Sequence, residues 1–416
     1  NFFLPSKSSV LIFLSLFFVL ANFYKIPKKG FDKKKLLYIL TTPLIISMYN
    51  NNGSTDSFMY HFANQKIIYE EKIILGLSNL TPTLGYASIF EYISSVFWLG
   101  DVYIYIQLIN LVFIGAFYHL IFYFFNKKNH YFKNLSLLIL LIGFLDNFGF
   151  SGGRNGYIFI QEVGKFDASF GIVFFICFLI TVLTNYQKSL TVVEFHFALL
   201  SVTFLSQIKQ FGYILFIPLF LIMFSKLKLE VFKNLFKNYI FLIINFLWIF
   251  KSVLLNSCLL YPVQFTCFKS LPWYFPGQAK FLSLLAISSN RLPTNRFQSL
   301  GNMNWVSNYW IQENLSYLLN FLITAMLLFI IFKNKSKFFN NINDLILLFF
   351  SLLYLALWFL YFPNYRFATG YFLSLYLIIF SRKLLQPLNN YLRIIYYKKF
   401  FYFIFIFVFL FTLRVD

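Results

Sequence analysis

Lys25-Ile26-Pro27-Lys28-Lys29-Gly30-Phe31-Asp32-Lys33-Lys34-Lys35 runs directly into an apolar segment from Leu36 to Tyr49. That segment ends in Asn50-Asn51-Asn52-Gly53-Ser54-Thr55-Asp56. A lysine cluster, an apolar run and a polar exit are the pattern of a segment that crosses a bilayer away from its positive side. The same alternation recurs along the whole chain, which is why this stretch decides the fold. The 416 residues are 59% hydrophobic and include 62 Phe, with a mean hydropathy of +0.70. Soluble domains sit nearer half apolar, so a soluble globular fold is excluded.

Apolar runs predict spans near 10–26, 36–49, 103–125, 134–150, 168–184, 190–206, 210–225, 238–255, 315–332, 343–361, 368–381 and 400–413. The expected fold is an all-α polytopic membrane protein of about twelve transmembrane helices, one domain over 1–416. Its connectors alternate in charge. One set carries Lys25 to Lys35, Lys127-Lys128, Lys188, Lys226 to Lys237, Lys333 to Lys337, and Arg382-Lys383 to Lys399. By the positive-inside rule this set faces the cytoplasm. The net charge of +21 therefore orients the chain in a bilayer, and no nucleic-acid role is assigned to it. Gly85 to Leu99 is apolar enough to cross, but a crossing there would invert every later connector. It reads instead as an interfacial or re-entrant helix, with Phe58 to Ile74 lying along the same outer surface. The outer face then carries two long elements, near 50–102 and 256–314, and shorter turns at 151–167, 207–209 and 362–367.

The first apolar run lacks a signal-peptidase pattern and is expected to remain as a span. A chain that starts outside, on Asn1 rather than Met, is expected to have lost or trimmed its beginning. Cys177 falls mid-membrane. Cys258 and Cys267 share one outer loop, where an oxidising compartment permits a disulfide, and the sequence leaves that pairing open.

Ionisable residues at a membrane edge are costly and call for a functional explanation. On this topology Asp56, Tyr60, His61, Arg154, Asp167, Lys209 and Arg366 all belong to the outer side. Arginine grips phosphate oxygens in pairs and lysine acts as a point charge. A carboxylate within hydrogen-bond reach can take a proton from a hydroxyl. His61 can hold Asp56, contact phosphate or act as an acid. Plainer readings stand beside these. Asp56 and Asp167 are each placed to cap a following helix, Lys209 and Arg366 to reach for lipid headgroups, Arg154 to sit solvated in a glycine-rich turn, and His61 to be an ordinary interfacial histidine. Glu194 and His196, on the inner side, read as packing or capping residues. No glycine-rich phosphate loop, zinc-binding His-Glu-x-x-His or nucleophile elbow occurs.

Asp56-Ser57-Phe58-Met59-Tyr60-His61, then Leu75-Gly76-Leu77-Ser78-Asn79-Leu80 and Gly85-Tyr86-Ala87-Ser88, resembles a family of uncharacterised bacterial multi-pass membrane proteins. Those proteins look like members of the GT-C superfamily of glycosyltransferases that use lipid-phosphate sugars. Ile208-Lys209, Leu260-Tyr261-Pro262 and Arg366-Phe367-Ala368-Thr369-Gly370-Tyr371 extend the resemblance in the same order, from about 50 to 371. It implies a GT-C-like arrangement with a catalytic Asp after an inside-to-outside span, here Asp56. It also implies basic residues for the carrier phosphate at the membrane edge, here Lys209 and Arg366. The paired acids common in such first loops are missing, since Asp56 is followed by Ser57.

The expected activity is an inner-membrane glycosyltransferase that moves a sugar from a polyprenyl-phosphate donor to a glycan, lipid or protein acceptor of the bacterial cell envelope. The site faces the periplasm. Asp56 and His61 are the catalytic candidates, Lys209, Arg366, Arg154 and Tyr60 the donor-binding ones, and Asp167 a second acid. No cofactor is required, and a divalent cation on Asp56 and Asp167 is the less favoured option. Two rivals remain. An envelope polysaccharide polymerase or ligase would rely on Arg291 and Arg296 in the second long loop. A transporter or flippase would be expected to show matched, broken half-repeats, and none is evident in the sequence.

Overall fold

Apolar runs without water partners must satisfy their backbone internally, and a helix does this within one segment. The computed structural model bears that out over the residues it describes, which are 56–98, 103–127, 130–147, 164–186, 191–237, 239–291, 303–311, 342–380 and 398–412, with Ile45, Leu322 and Met326. These residues are helical apart from connecting turns and one isolated bridge between Cys258 and Cys267. Apart from Ile45, Leu322 and Met326, the expected spans near 10–26, 36–49 and 315–332 lie outside them, as do Arg154 and Arg296.

In chain order the helices are α1 (Phe62–Glu70), α2 (Ile89–Ser95), α3 (Leu108–Phe125), α4 (His130–Asn147), α5 (Asp167–Tyr186), α6 (Val192–Ile208) and α7 (Phe216–Leu227). They continue with α8 (Glu230–Lys237), α9 (Tyr239–Asn256), α10 (Gln278–Arg291), α11 (Ile342–Tyr361), α12 (Thr369–Phe380) and α13 (Lys398–Thr412). Among the described residues, five segments are long and apolar enough to cross a membrane: Tyr105–Phe125, Asp167–Tyr186, Gln210–Leu227, Tyr239–Asn256 and Ile342–Tyr361. α6 and the apolar parts of α12 and α13 are shorter. α2 has only seven residues, about 10 Å at 1.5 Å per residue, which is too short to cross.

α5 is the central helix. Ile172, Phe174, Phe175 and Phe178 are fully buried, and Phe174 meets Tyr354 of α11 and Tyr371 of α12 edge-on at 4.8 Å in each case. The α5–α12 crossing depends on two glycines. A Cβ on Gly370 would lie 2.5 Å from the Gly171 carbonyl oxygen, and one on Gly171 would lie 3.2 Å from the Gly370 nitrogen. Small residues at both positions let the two backbones touch.

α9 shows the opposite distribution. Ile240, Ile243, Phe246, Leu247 and Phe250 are all exposed. An apolar face of that extent is unusual on a protein surrounded by water.

The ends of the helices are fixed by local chemistry. α6 starts with a capping box, in which the Thr191 hydroxyl accepts from the Glu194 amide and the Glu194 carboxylate accepts from the Thr191 amide. Glu194 is thus a cap. α6 stops at Lys209, which is extended (φ −144°, ψ 138°). The chain turns back so closely there that a Cβ on Gly212 would lie 2.8 Å from the Leu205 backbone. At the far end of α5 from Asp167, roughly 27 Å away at helical rise, Asn185 donates to Asp344 at 3.0 Å. Asn343 donates to Asn185 at 3.1 Å and to the Ser225 hydroxyl at 2.9 Å. This buried polar network ties α5, α7 and α11 together.

Candidate functional site

Three connectors from distant parts of the chain meet at the Asp167 end of α5. The first is the turn Gly164-Lys165-Phe166 leading into Asp167. Asn110 of α3 donates to the Lys165 carbonyl at 2.6 Å and accepts from the Ser169 hydroxyl at 2.7 Å, which clamps the start of α5. Gly164 adopts φ +91°, and a Cβ there would come within 2.9 Å of the His61 Cβ. The position therefore needs glycine both for its backbone conformation and for its space. The second connector is the α6–α7 turn bearing Lys209. The third is Pro363-Asn364-Tyr365-Arg366, where the Asn364 side chain accepts from the Arg366 amide at 3.2 Å. The indoles of Trp358 and Trp310 donate to the Asn364 and Pro363 carbonyls.

Asp167 receives both cations. The Lys209 ammonium donates to one carboxylate oxygen, and Arg366 Nε lies 3.5 Å from the other. The carboxylate is 10% exposed, whereas the lysine and arginine side chains are 29% and 30% exposed. The cations thus keep a wet side while the acid is enclosed. Phenyl rings flank the lysine: Phe367 at 4.5 Å, Phe170 at 5.5 Å and Phe166 at 5.8 Å. Such rings favour a cation over their faces. Arg366 lies over Phe367 at 4.9 Å.

Asp56 sits just ahead of the turn Ser57–His61 but makes no side-chain cap bond. It pairs with Lys165 at 3.7 Å instead. Its side chain is 41% exposed, the most open carboxylate of the group. Tyr60 is partly buried, within electrostatic range of the acids. Burial, then the carboxylates of Asp56, Asp167 and Glu91, push its hydroxyl well above the usual phenol range, so it remains a protonated donor. Asp56, Tyr60, Asp167, Lys209 and Arg366 thereby share one electrostatic neighbourhood.

His61 is buried, and its partner is Glu91 rather than Asp56, with Nδ1 3.0 Å from the Glu91 carboxylate. Asn64 donates to the other oxygen of Glu91. Phe166 packs edge-on to the imidazole at 5.8 Å. Glu91 is 2% exposed and also acts electrostatically on Lys251 of α9, a buried lysine whose ammonium lies 3.3 Å from the Tyr92 ring centre and 3.6 Å from that of Trp248.

Three members of this group were not singled out from the sequence: Glu91, Lys165 and Lys251. Glu91 stands in the run Phe90-Glu91-Tyr92-Ile93 and Lys251 in Ile249-Phe250-Lys251, so a lone charge inside an apolar stretch was the available signal. Lys165 had a weaker one, standing two residues before Asp167. Arg154 lies outside the described residues. Arg291 donates to the Leu360 carbonyl and lies over the Trp305 ring at 5.2 Å, which fastens α10 to α11. Among the described residues no three His, Cys, Asp or Glu side chains gather as a metal-holding group.

The arrangement offers two cations with an open side, a protonated phenol, an accessible carboxylate and a buried imidazole–carboxylate pair. Such a set can bind an anion of phosphate type and accept a proton beside it. No curated protein and no solved structure matches the chain. One family profile does match, over residues 6–373, and it is described as a domain of unknown function, DUF8201. That match takes in most of the sequence, including every residue of the cluster, and the protein belongs to the DUF8201 family.

Proposed function

We propose that the protein is a bacterial inner-membrane glycosyltransferase that takes a sugar from a polyprenyl-phosphate carrier and passes it to a cell-envelope acceptor on the periplasmic side. The observation that carries this reading is the meeting of Lys209 and Arg366 on Asp167 beside Tyr60 and Asp56. These residues come from connectors far apart in sequence, and they set a cationic edge and a partly exposed carboxylate in the electrostatic surroundings of the Tyr60 phenol.

Membrane embedding is supported by the five long apolar helices and by the apolar face of α9. The orientation draws on two independent features. The lysine-rich connectors belong to the other side. The Cys258–Cys267 disulfide follows α9 at the end nearest Lys251 and Glu91, and disulfides persist in oxidising compartments. About twelve spans in a GT-C-like arrangement remain part of this proposal.

In the reaction, the acceptor hydroxyl gives its proton to Asp56 as its oxygen attacks the anomeric carbon. The bond from that carbon to the phosphate oxygen breaks, and the electron pair leaves with the polyprenyl phosphate. Attack opposite the leaving group inverts the sugar. Lys209 and Arg366 meet the charge that grows on the departing phosphate, and Asp167 holds both in place beforehand, so little reorganisation is needed. Tyr60 donates a hydrogen bond to the donor, and Arg154 is proposed to contact it as well. His61, held by Glu91, orders the wall beside Asp56.

The test is transfer from a panel of radiolabelled polyprenyl-phosphate hexoses by the reconstituted protein. Asp56→Asn is expected to lower the transfer rate by about 100-fold or more, within the range of a lost general base, with membrane insertion unchanged. Full transfer by this variant would remove Asp56 from the mechanism.

A further inference from the structure

The segment after α9 is an unusual surface. It leaves the last turn of a helix long and apolar enough to cross a membrane, and it is fastened back to that turn. The Trp273 indole donates to the Val253 carbonyl at 2.9 Å, and the Gly76 amide donates to the Leu254 carbonyl at 2.9 Å. Both carbonyls belong to the last turn of the helix; that of Val253 also accepts from the Ser257 amide at 2.8 Å. Asn256 donates to the Gly85 carbonyl, Tyr261 to that of Pro82 and Gln278 to that of Ser78. The Cys258–Cys267 disulfide closes the first turn of the loop. Within it the Thr266 hydroxyl donates to the Val263 carbonyl at 2.7 Å and accepts from the Leu260 amide at 3.1 Å.

This loop is thus held firmly at the level of the helix end, yet it turns large apolar side chains outward. Phe265 is 91% exposed, and Phe268, Phe275, Phe281 and Leu259 are exposed with it. Lys269 and Lys280 stand among them, also exposed. No acidic residue occurs from 231 to 312. Rigid aromatics at the end of an apolar helix, accompanied only by positive charge, match the boundary of a bilayer that contains anionic headgroups.

We propose that the segment from Ser257 to Phe281, the disulfide-closed turn with the chain that follows it into the start of α10, is a lipid-binding surface. In this arrangement Phe265, Phe268 and Phe275 enter the headgroup–acyl boundary, and Lys269 and Lys280 engage anionic phospholipid headgroups. The surface fixes the height of the loop and of the 76–86 segment bonded to it, independently of any sugar transfer.

The experiment uses the full chain with p-benzoylphenylalanine in place of Phe265, reconstituted in nanodiscs of phosphatidylcholine with or without phosphatidylglycerol. Photocrosslinked products are identified by mass spectrometry. Phospholipid adducts are expected, with phosphatidylglycerol over-represented, and Lys269→Gln with Lys280→Gln is expected to reduce that preference by about fivefold per lysine. Absence of lipid adducts would overturn the proposal, as would adducts to a second protein chain or a lipid yield indifferent to both headgroup and lysines. None of these outcomes touches Asp56, so failure here and failure of the transferase reading are separate results.

Discussion

Tyr60 shows how one side chain reports on the whole cluster. Burial and three carboxylates favour its protonated form in the folded protein, while the unfolded chain ionises near the ordinary phenol value of about 10. The folded state therefore holds more protons above that pH. The contribution of Tyr60 is fully present below about pH 10 and is lost as the pH rises further. In detergent, the gap in thermal stability between the parent and Tyr60→Phe is expected to be constant up to about pH 9 and to shift against the parent above about pH 10. A gap unchanged to about pH 12 would show that the acids do not surround this phenol. The sequence made Asp56, Lys209 and Arg366 visible because lone charges at membrane edges stand out. It could not assign their partners. Asp56 meets Lys165, and His61 meets Glu91, because pairing depends on how the turns are folded back, and residue spacing carries no record of that.

At the scale of elements, the site is positioned by helix crossings. Asp167 lies four residues before Gly171, and Arg366 lies four before Gly370, so the backbone contact of the two glycines sets how near the carboxylate and guanidinium come. Gly370→Ala is expected to force α5 and α12 apart, with a loss of about 1–3 kcal/mol, the usual range for overpacking. The drop should appear as a lower unfolding midpoint in detergent, and a midpoint equal to the parent's would contradict the close crossing. The helices themselves were legible. The spans read near 168–184, 190–206, 210–225, 238–255 and 343–361 correspond to α5, α6, Gln210–Leu227, α9 and α11. Apolar length is a local property, so it survives in the sequence. The short α2 was legible for another reason, since a crossing there clashes with the charge of every later connector. The crossing at Gly171 and Gly370 was not, because two isolated glycines on separate helices carry no signal that they face each other.

Across the whole molecule, helices with an apolar exterior carry an ion-paired cluster at one end of α5 and an amide-rich polar network, Asn185, Asn343 and Asp344 with Ser225, at the other. Charge enclosed this way is expensive unless it is paired or used. Asp167 is paired with two cations, each of which stays about one-third exposed. In the proposed transferase these cations receive the phosphate of a lipid carrier, and every step of the transfer follows from its seat between Lys209 and Arg366. The most direct measurement is binding of undecaprenyl phosphate to the detergent-solubilised protein by native mass spectrometry. Lys209→Gln and Arg366→Gln are each expected to weaken it by about tenfold or more, as the loss of a hydrogen bond to a charged group implies, while Lys280→Gln leaves it unchanged. Equal binding by the parent and both site variants would contradict a phosphate seat at these two residues.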